Sequence, residues 1–324
     1  MDGAERDDKP WIINLELTNA CNLACVFCDH PVFVANGMKC RTMDPELLNT
    51  ALSGLDNEVF HELGLVGLGE PTLNKRLPEH LAVIERFADR FDRVSLNSNL
   101  VSLKESIANL LLDSPVNSYT FSLNASDRAT YKEMMGRDCF DQAVNNLRMF
   151  LAHRKANRQD VSVAVQLFDS PRNSVDEIRR LVPDLDDVHV FIREVYTKPV
   201  IRQETPLLHV REPVAPRRYP CWDIYTRLYL DVDGNVYPCT IGNDSYRASS
   251  DLCIGNVQRT SLLDLFNSER MLRARRASEK GELPFAECEQ CNVWSFTPNN
   301  FSWDDTLQRW SKLTSPVRAY GITV

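Results

Sequence analysis

Cys21, Cys25 and Cys28 fall in the run Thr18-Asn19-Ala20-Cys21-Asn22-Leu23-Ala24-Cys25-Val26-Phe27-Cys28, and this C-x3-C-x2-C spacing constrains the chain more than any other feature. Three thiols so close in sequence share one loop, and that loop must be held still by the elements around it. Thiolates in this pattern can hold three irons of a cubane cluster and leave the fourth iron open to a ligand from solution. A cluster with four cysteine ligands mainly passes electrons, whereas one with an open iron can bind and activate a substrate. On spacing alone, a zinc knuckle or a set of buried thiols remains the alternative.

Composition narrows the setting. The chain has 324 residues, 43% hydrophobic and 25% charged, enough for one large domain and a smaller one. Its ten cysteines would suggest disulfides in a secreted protein, but Met1 to Pro10 is polar and acidic and lacks the pattern of a signal peptide. No apolar run approaches the ~20 residues that cross a bilayer. A reducing cytoplasm is therefore expected, with metal as the use of the thiols. The net charge of −8, with no basic stripe, argues against nucleic acid as partner or substrate.

Along the chain, strand-like apolar runs alternate with helical patterns in the order of parallel β/α units. Strands are expected at Trp11 to Leu17, Glu62 to Val66, Asp92 to Asn97, Ser118 to Asn124, Ser162 to Leu167 and Val188 to Val195. Helices are expected at Asp44 to Leu55, Pro78 to Phe91, Leu103 to Leu112 and Asp141 to Asn157. Tyr196 to Pro220 carries Pro199, Pro206, Pro213, Pro216 and Pro220 and reads as a junction. Beyond it, Asp231-Val232-Asp233-Gly234 signals a hairpin between Arg227 to Leu230 and Asn235 to Tyr237. A helix follows from Ser261, a plausible N-cap, to Arg276, with Arg273, Arg275 and Arg276 suiting the negative end of its dipole. The expected organisation is a tail over residues 1–10, a large unit over 11–195, a junction over 196–220, a small unit over 221–295 and a tail over 296–324.

The small unit holds a second cysteine set. Cys221 and Cys239 bracket the hairpin, and Cys288-Glu289-Gln290-Cys291 supplies a C-x2-C pair. Two such pairs suit zinc or an iron-sulfur cluster, and their spacing does not decide between them.

Together these segments resemble the radical S-adenosylmethionine (SAM) superfamily. The triad follows a first strand, Phe27 fills the aromatic slot before the third cysteine, and Gly67-Leu68-Gly69-Glu70-Pro71 resembles the motif that meets the amino group of SAM. Ser118 to Ala125 is similar to the strand whose polar residues meet the ribose, and Ser95, Asn97 and Asn99 alternate along the preceding strand. The resemblance implies an α/β fold, a partial (β/α)6 barrel with its ligands at the C-terminal strand ends. It implies Cys21, Cys25 and Cys28 as cluster ligands. Phe27, Gly67, Gly69, Glu70, Pro71, Ser95, Asn97, Ser122 and Asn124 are then the SAM-binding residues. Glycines in the Gly67 to Pro71 segment would let the backbone come close to SAM.

The C-x12-G-x4-C hairpin with its later C-x2-C is similar to the auxiliary-cluster domain called SPASM in its long form and twitch in its short form. This implies Cys221, Cys239, Cys288 and Cys291 as ligands of one auxiliary 4Fe-4S cluster beside the SAM-binding one. Single-auxiliary-cluster members most resemble the aminocyclitol and sugar dehydrogenases of aminoglycoside antibiotic pathways, of the 2-deoxy-scyllo-inosamine dehydrogenase kind. The implied reaction oxidises a hydroxyl-bearing carbon to a ketone, with flavodoxin or ferredoxin as electron donor. Peptide-modifying relatives often carry a leader-binding domain, and twenty residues precede Cys21, which disfavours that reading.

The alternative of an epimerase turns on a thiol able to return a hydrogen atom. Cys253 lies between the two ligand pairs and is the candidate, although a cysteine beside Leu252 and Ile254 also suits a core. Cys40 and Cys139 are expected to be structural. Arg193 and Glu194 end the sixth strand as candidate catalytic groups, and alternation predicts that one of them enters the barrel. His30 is expected near the cluster loop without a catalytic role. Trp294, Phe296, Phe301 and Trp303 are expected to pack the C-terminal region. A non-enzymatic metal-binding interaction module is the remaining alternative; eight irons per chain, roughly, would exclude a zinc module.

Overall fold

The computed structural model describes residues 9–55, 58–183, 185–194, 207–209, 218–239, 251–296 and 301–312. Strand β1 (Ile12–Leu15) is buried along its whole length, as expected of a strand covered on both faces. After the cluster loop come α1 (His30–Ala35) and α2 (Pro45–Ser53), the latter opened by Asp44, whose side chain accepts from the Glu46 amide, with proline in the first turn. Then follow β2 (Phe60–Leu65), α3 (Leu77–Glu85), β3 (Phe91–Ser98), α4 (Glu105–Leu112) and β4 (Ser118–Asn124). Helix α5 (Arg128–Met135) starts on an Asp127 cap and stops at Gly136, whose φ of 71° suits a helix-ending glycine. The large unit ends with α6 (Phe140–Asn157), β5 (Ser162–Phe168), α7 (Val175–Leu181) and β6 (His189–Arg193).

All six strands pair in parallel in chain order, and the core lies between this sheet and the surrounding helices. Expected strands and helices recur with shifted ends. The helix expected to reach Phe91 stops at Glu85, because Phe91 already opens β3. The short helices α1, α5 and α7 had no sequence expectation.

The small unit contains α8 (Asp223–Thr226), β7 (Arg227–Leu230), β8 (Asn235–Tyr237) and β9 (Gly255–Asn256), then α9 (Leu262–Phe266) and α10 (Glu269–Glu279). The single helix expected over Ser261 to Arg276 is two: Ser261 caps the first, and Ser268 interrupts the run by capping the second through the Met271 amide. Strand β7 pairs in parallel with β1, and β8 and β9 follow antiparallel, so the hairpin extends the barrel sheet to nine strands in the order β6-β5-β4-β3-β2-β1-β7-β8-β9. The C-terminal region forms a separate hairpin, β10 (Phe301–Asp304) and β11 (Arg309–Lys312). Phe301 stands edge-on to Trp222, and Trp303 to Trp310, so these aromatics pack as expected; Trp294 is buried against Tyr219. The Phe296 side chain and most of the proline-rich stretch lie outside the described residues.

Candidate active site

The segments just past the C-terminal ends of β1 to β6 enclose one cavity of about 240 Å³. Cys21, Cys25, Phe27 and Cys28 line it from the loop after β1, Val66, Gly67, Gly69 and Glu70 from that after β2, and Asn97 to Asn99 from the end of β3. Ser122 and Asn124 enter from β4, Gln166 and Phe168 from β5, and Arg193 and Glu194 from β6. A parallel barrel gathers its ligand groups at this end because every strand points that way.

Backbone contacts hold the thiol loop on two sides. The Ala24 and Val26 amides donate to the Met135 and Met134 carbonyls at the end of α5, at 3.2 and 2.9 Å. On the other side, the Glu70 amide donates to the Ala20 carbonyl at 2.8 Å. His30 is buried with its Nε2 3.0 Å from the Asn19 carbonyl oxygen, and burial holds its imidazole below the ordinary range, so it braces the loop as a neutral ring. Phe27 stacks at a tilt on Phe168, with ring centroids 4.2 Å apart.

The glycines sit where no side chain fits. A Cβ on Gly69 would stand 2.1 Å from the Thr18 carbonyl oxygen, and one on Gly67 would stand 2.6 Å from Glu16. Close packing of two loops, as well as access to a ligand, therefore calls for glycine at these positions.

Burial opposes ionisation of the thiols. Cys21 is pushed up to about 12, chiefly by desolvation, and Cys25 is raised by burial and then by the charges of Cys28 and Cys21. Thiolates held this closely need a compensating positive centre, which an iron-sulfur core supplies. Asn99 aims its amide at the site: Nδ2 is 3.9 Å from Cys21 Sγ and donates to Asn22 Oδ1 at 2.8 Å.

Cys221, Cys239, Cys288 and Cys291 line a second, smaller cavity of about 30 Å³, with Phe285 and Trp294 among its walls. Desolvation raises Cys221 far above its ordinary range and Cys288 to about 11, with neighbouring thiols adding to both shifts. A four-thiolate cluster fits this donor set and its burial on the same electrostatic ground. Among the described residues, no three His, Cys, Asp or Glu side chains close on one point as a single metal ion would require.

Several expected site residues stand elsewhere. Ser95 does not line the cavity; its hydroxyl donates to Glu62 Oε1 at 2.6 Å, because alternation gives the face of a strand but not the depth along it. Pro71 starts a short 3-10 turn behind the loop. Glu70 lines the cavity, but its carboxylate accepts from the Thr72 amide and hydroxyl, the Ser98 hydroxyl and the Asn99 amide, so it joins the β2 loop to the β3 loop. Arg193 and Glu194 both line the cavity, against the expectation of one, because Glu194 lies past the last strand residue, where alternation ends.

Cys253 lines neither cavity: its sulfur faces the Gly255 carbonyl at 3.6 Å, beside Tyr237 and Asp231, which removes its support as a hydrogen donor. Cys40 is exposed, and Cys139 stands just before α6 without a side-chain hydrogen bond to its first turn. Sequence reasoning missed Gln166 and Met135. Gln166 donates to Asn124 Oδ1 at 2.9 Å and Met135 Sδ lies 3.8 Å from Cys25 Sγ, and neither belongs to a motif.

Residues 15–191 match the family profile of the radical SAM superfamily. The chain belongs to that superfamily. Residues 221–292 match SPASM, the iron-sulfur cluster-binding domain. A probable GTP 3',8-cyclase of Saccharolobus solfataricus is 25% identical over 271 residues, covering 72% of this chain and 83% of the relative. One of Pyrococcus abyssi is 30% identical over 135 residues, 42% of each chain.

Among solved structures, BtrN in complex with AdoMet and 2-DOIA aligns over 88% of this chain and 93% of its own, with TM-score 0.54 and 15% identity. Streptococcus suis SuiB bound to S-adenosylmethionine aligns over 90% and 72%, with TM-score 0.63 and 15% identity. These likenesses show the fold. The chain is thus a radical SAM enzyme with a SPASM domain, and its cofactors are SAM and iron-sulfur clusters. Among the described residues, no helix is long and apolar enough to cross a membrane.

Proposed function

We propose that this enzyme oxidises a hydroxyl-bearing carbon of a sugar or aminocyclitol to a ketone, in natural-product biosynthesis. The observation that carries the reading is the second thiol set. Four cysteines line that smaller cavity, enough to ligate all four irons of a cluster and leave none open, which suits a cluster that exchanges electrons and does not receive substrate. A flavodoxin or ferredoxin-type protein would supply the first electron.

Cys21, Cys25 and Cys28 would hold the SAM-binding cluster, which together with SAM would supply the power to abstract a hydrogen atom from an unactivated substrate carbon. The chain's own groups have the remaining tasks. Gly67 and Gly69 keep the loop close, and Asn97, Ser122 and Asn124 offer neutral donors and acceptors to SAM. Arg193 and Glu194 line the same cavity at the end of β6, where Arg193 Nη1 donates to Gln166 Oε1 at 3.3 Å. The Glu194 carboxylate accepts the hydroxyl proton while Arg193 orients the oxygen. One hydrogen atom, one proton and one electron leave the carbinol, and Cys221, Cys239, Cys288 and Cys291 hold the acceptor of that electron.

A second reading, cyclisation of a purine nucleoside triphosphate, is favoured by the sequence likeness to GTP 3',8-cyclases. Against it, the described lining holds one cation, Arg193, beside the carboxyl groups of Glu70 and Glu194, a poor match for a triphosphate. Reconstituted, reduced enzyme with SAM should convert a member of a hydroxylated sugar and aminocyclitol panel to a ketone, with one 5'-deoxyadenosine per product. Turnover of GTP in the same assay, or a stereoinverted product carrying solvent deuterium, would overturn the dehydrogenase reading.

A further inference from the structure

Glu16, one residue past β1, is 1% exposed and stands between two parts of the molecule. Its Oε2 accepts from the Leu68 amide at 2.8 Å and from the Tyr229 hydroxyl at 2.5 Å. Leu68 lies between Gly67 and Gly69, which line the SAM cavity, whereas Tyr229 belongs to β7 and lines neither cavity. The Glu16 amide continues the β1 to β7 ladder by donating to the Leu230 carbonyl at 2.9 Å. The glycine loop rests directly on this side chain, since a Cβ on Gly67 would meet Glu16 Cβ and Cγ at 2.6 Å.

We infer that Glu16 is a positioning residue which fixes the Gly67 to Pro71 loop against strand β7, so that the auxiliary hairpin shapes the SAM cavity from outside it. One buried oxygen takes a donor from each side. A hydrogen bond between buried groups is stronger than the same bond in water. Removing the hydroxyl takes away the donor that β7 supplies to this oxygen, and with it one of the bonds that fix the side chain beneath Leu68. The inference rests on the reading of this loop as the SAM-binding one.

Tyr229→Phe keeps the ring and its packing, which allows the full-length, cluster-loaded protein to be compared with the parent. SAM affinity, measured by equilibrium dialysis, is expected to fall by up to about tenfold, the effect of losing one hydrogen bond. Amide hydrogen exchange in the peptide containing Leu68 is expected to quicken. Tyr237→Phe is the control: its ring centroid lies 6.1 Å from that of Tyr229, but its hydroxyl donates to Asp231 Oδ2 at 2.9 Å, away from Glu16. It should lower the unfolding midpoint and leave SAM affinity at the parent value. The inference is overturned if Tyr229→Phe behaves as Tyr237→Phe does, with SAM affinity and Leu68 exchange unchanged. Asn97→Ala separates the two levels of failure. If it too leaves SAM affinity unchanged, the cavity reading fails and this inference with it; if it weakens SAM binding while Tyr229→Phe does not, this inference alone fails.

Discussion

Gly69→Ala tests whether the glycine loop is held by packing on the thiol loop. The new Cβ would stand 2.1 Å from the Thr18 carbonyl oxygen and 2.8 Å from that of Ala20, both backbone atoms that cannot rotate away. Restoring an ordinary contact of about 3.4 Å requires the two loops to part by roughly 1 Å. Overpacking of this kind costs about 1–3 kcal/mol. Parting the loops also loosens the hydrogen bond from the Glu70 amide to the Ala20 carbonyl, worth about 0.5–1.5 kcal/mol. A loss of about 1.5–4.5 kcal/mol follows, against a total stability of about 5–15 kcal/mol, so the variant is weakened.

Urea unfolding reads this as a lower midpoint at an unchanged slope. Because Ala20 adjoins Cys21, iron retained after gel filtration should fall as well. Gly54→Ala is the reference substitution, with φ at −80° and a Cβ there standing 3.3 Å from Ser261 Cβ; its effect should stay within about 1 kcal/mol. A Gly69→Ala protein that matches the parent in midpoint and iron content would refute the packing argument.

Other outcomes follow from the same geometry. Cys221→Ala should reduce iron from roughly eight toward roughly four per chain, leaving 5'-deoxyadenosine formation intact while ketone formation is lost, as iron analysis and product chromatography would register. Asn99→Ala removes the amide 3.9 Å from Cys21 Sγ and should make the potential of the SAM-binding cluster more negative in an EPR-monitored titration; an unchanged potential would show that the amide does not act on the sulfur. His80 is buried, with Nε2 3.0 Å from the Met43 carbonyl oxygen, and desolvation holds its imidazole below the ordinary 6.5. The stability of the neutral ring is therefore full above 6.5 and is lost as pH falls from there through the lower folded value. The urea midpoint of His80→Gln should decline less than that of the parent between neutral pH and about pH 5, and parallel declines would refute the assignment.

Local pattern made much of this legible. Apolar runs, the helix cap at Ser261, and the cysteine spacings are properties of short segments, and each has a counterpart in the structure. What could not be read depends on pairing across distance. Nothing in Arg227 to Leu230 says that it will lie beside β1, because register is chosen by tertiary packing. Alternation put Ser95 on the same face as Asn97, but its depth below the cavity is set by the stagger of neighbouring strands. Glu194 enters the cavity because the strand stops one residue earlier, and strand ends are poorly marked in sequence. The α5 brace on the thiol loop is made of main-chain carbonyls, which carry no residue signature. Gly136 ends α5 against that loop, where a Cβ would stand 2.5 Å from the Ala24 carbonyl oxygen.

The pairing of β7 with β1 also bears on how the protein can be taken apart. Strand β1 has β2 on one side and β7 on the other, so cutting the chain after β6 would strip one whole row of amides and carbonyls of their partners. The apolar side chains of β1 would flank that bare row, a template for self-association. The N-terminal portion expressed alone should therefore aggregate even with its thiol triad intact.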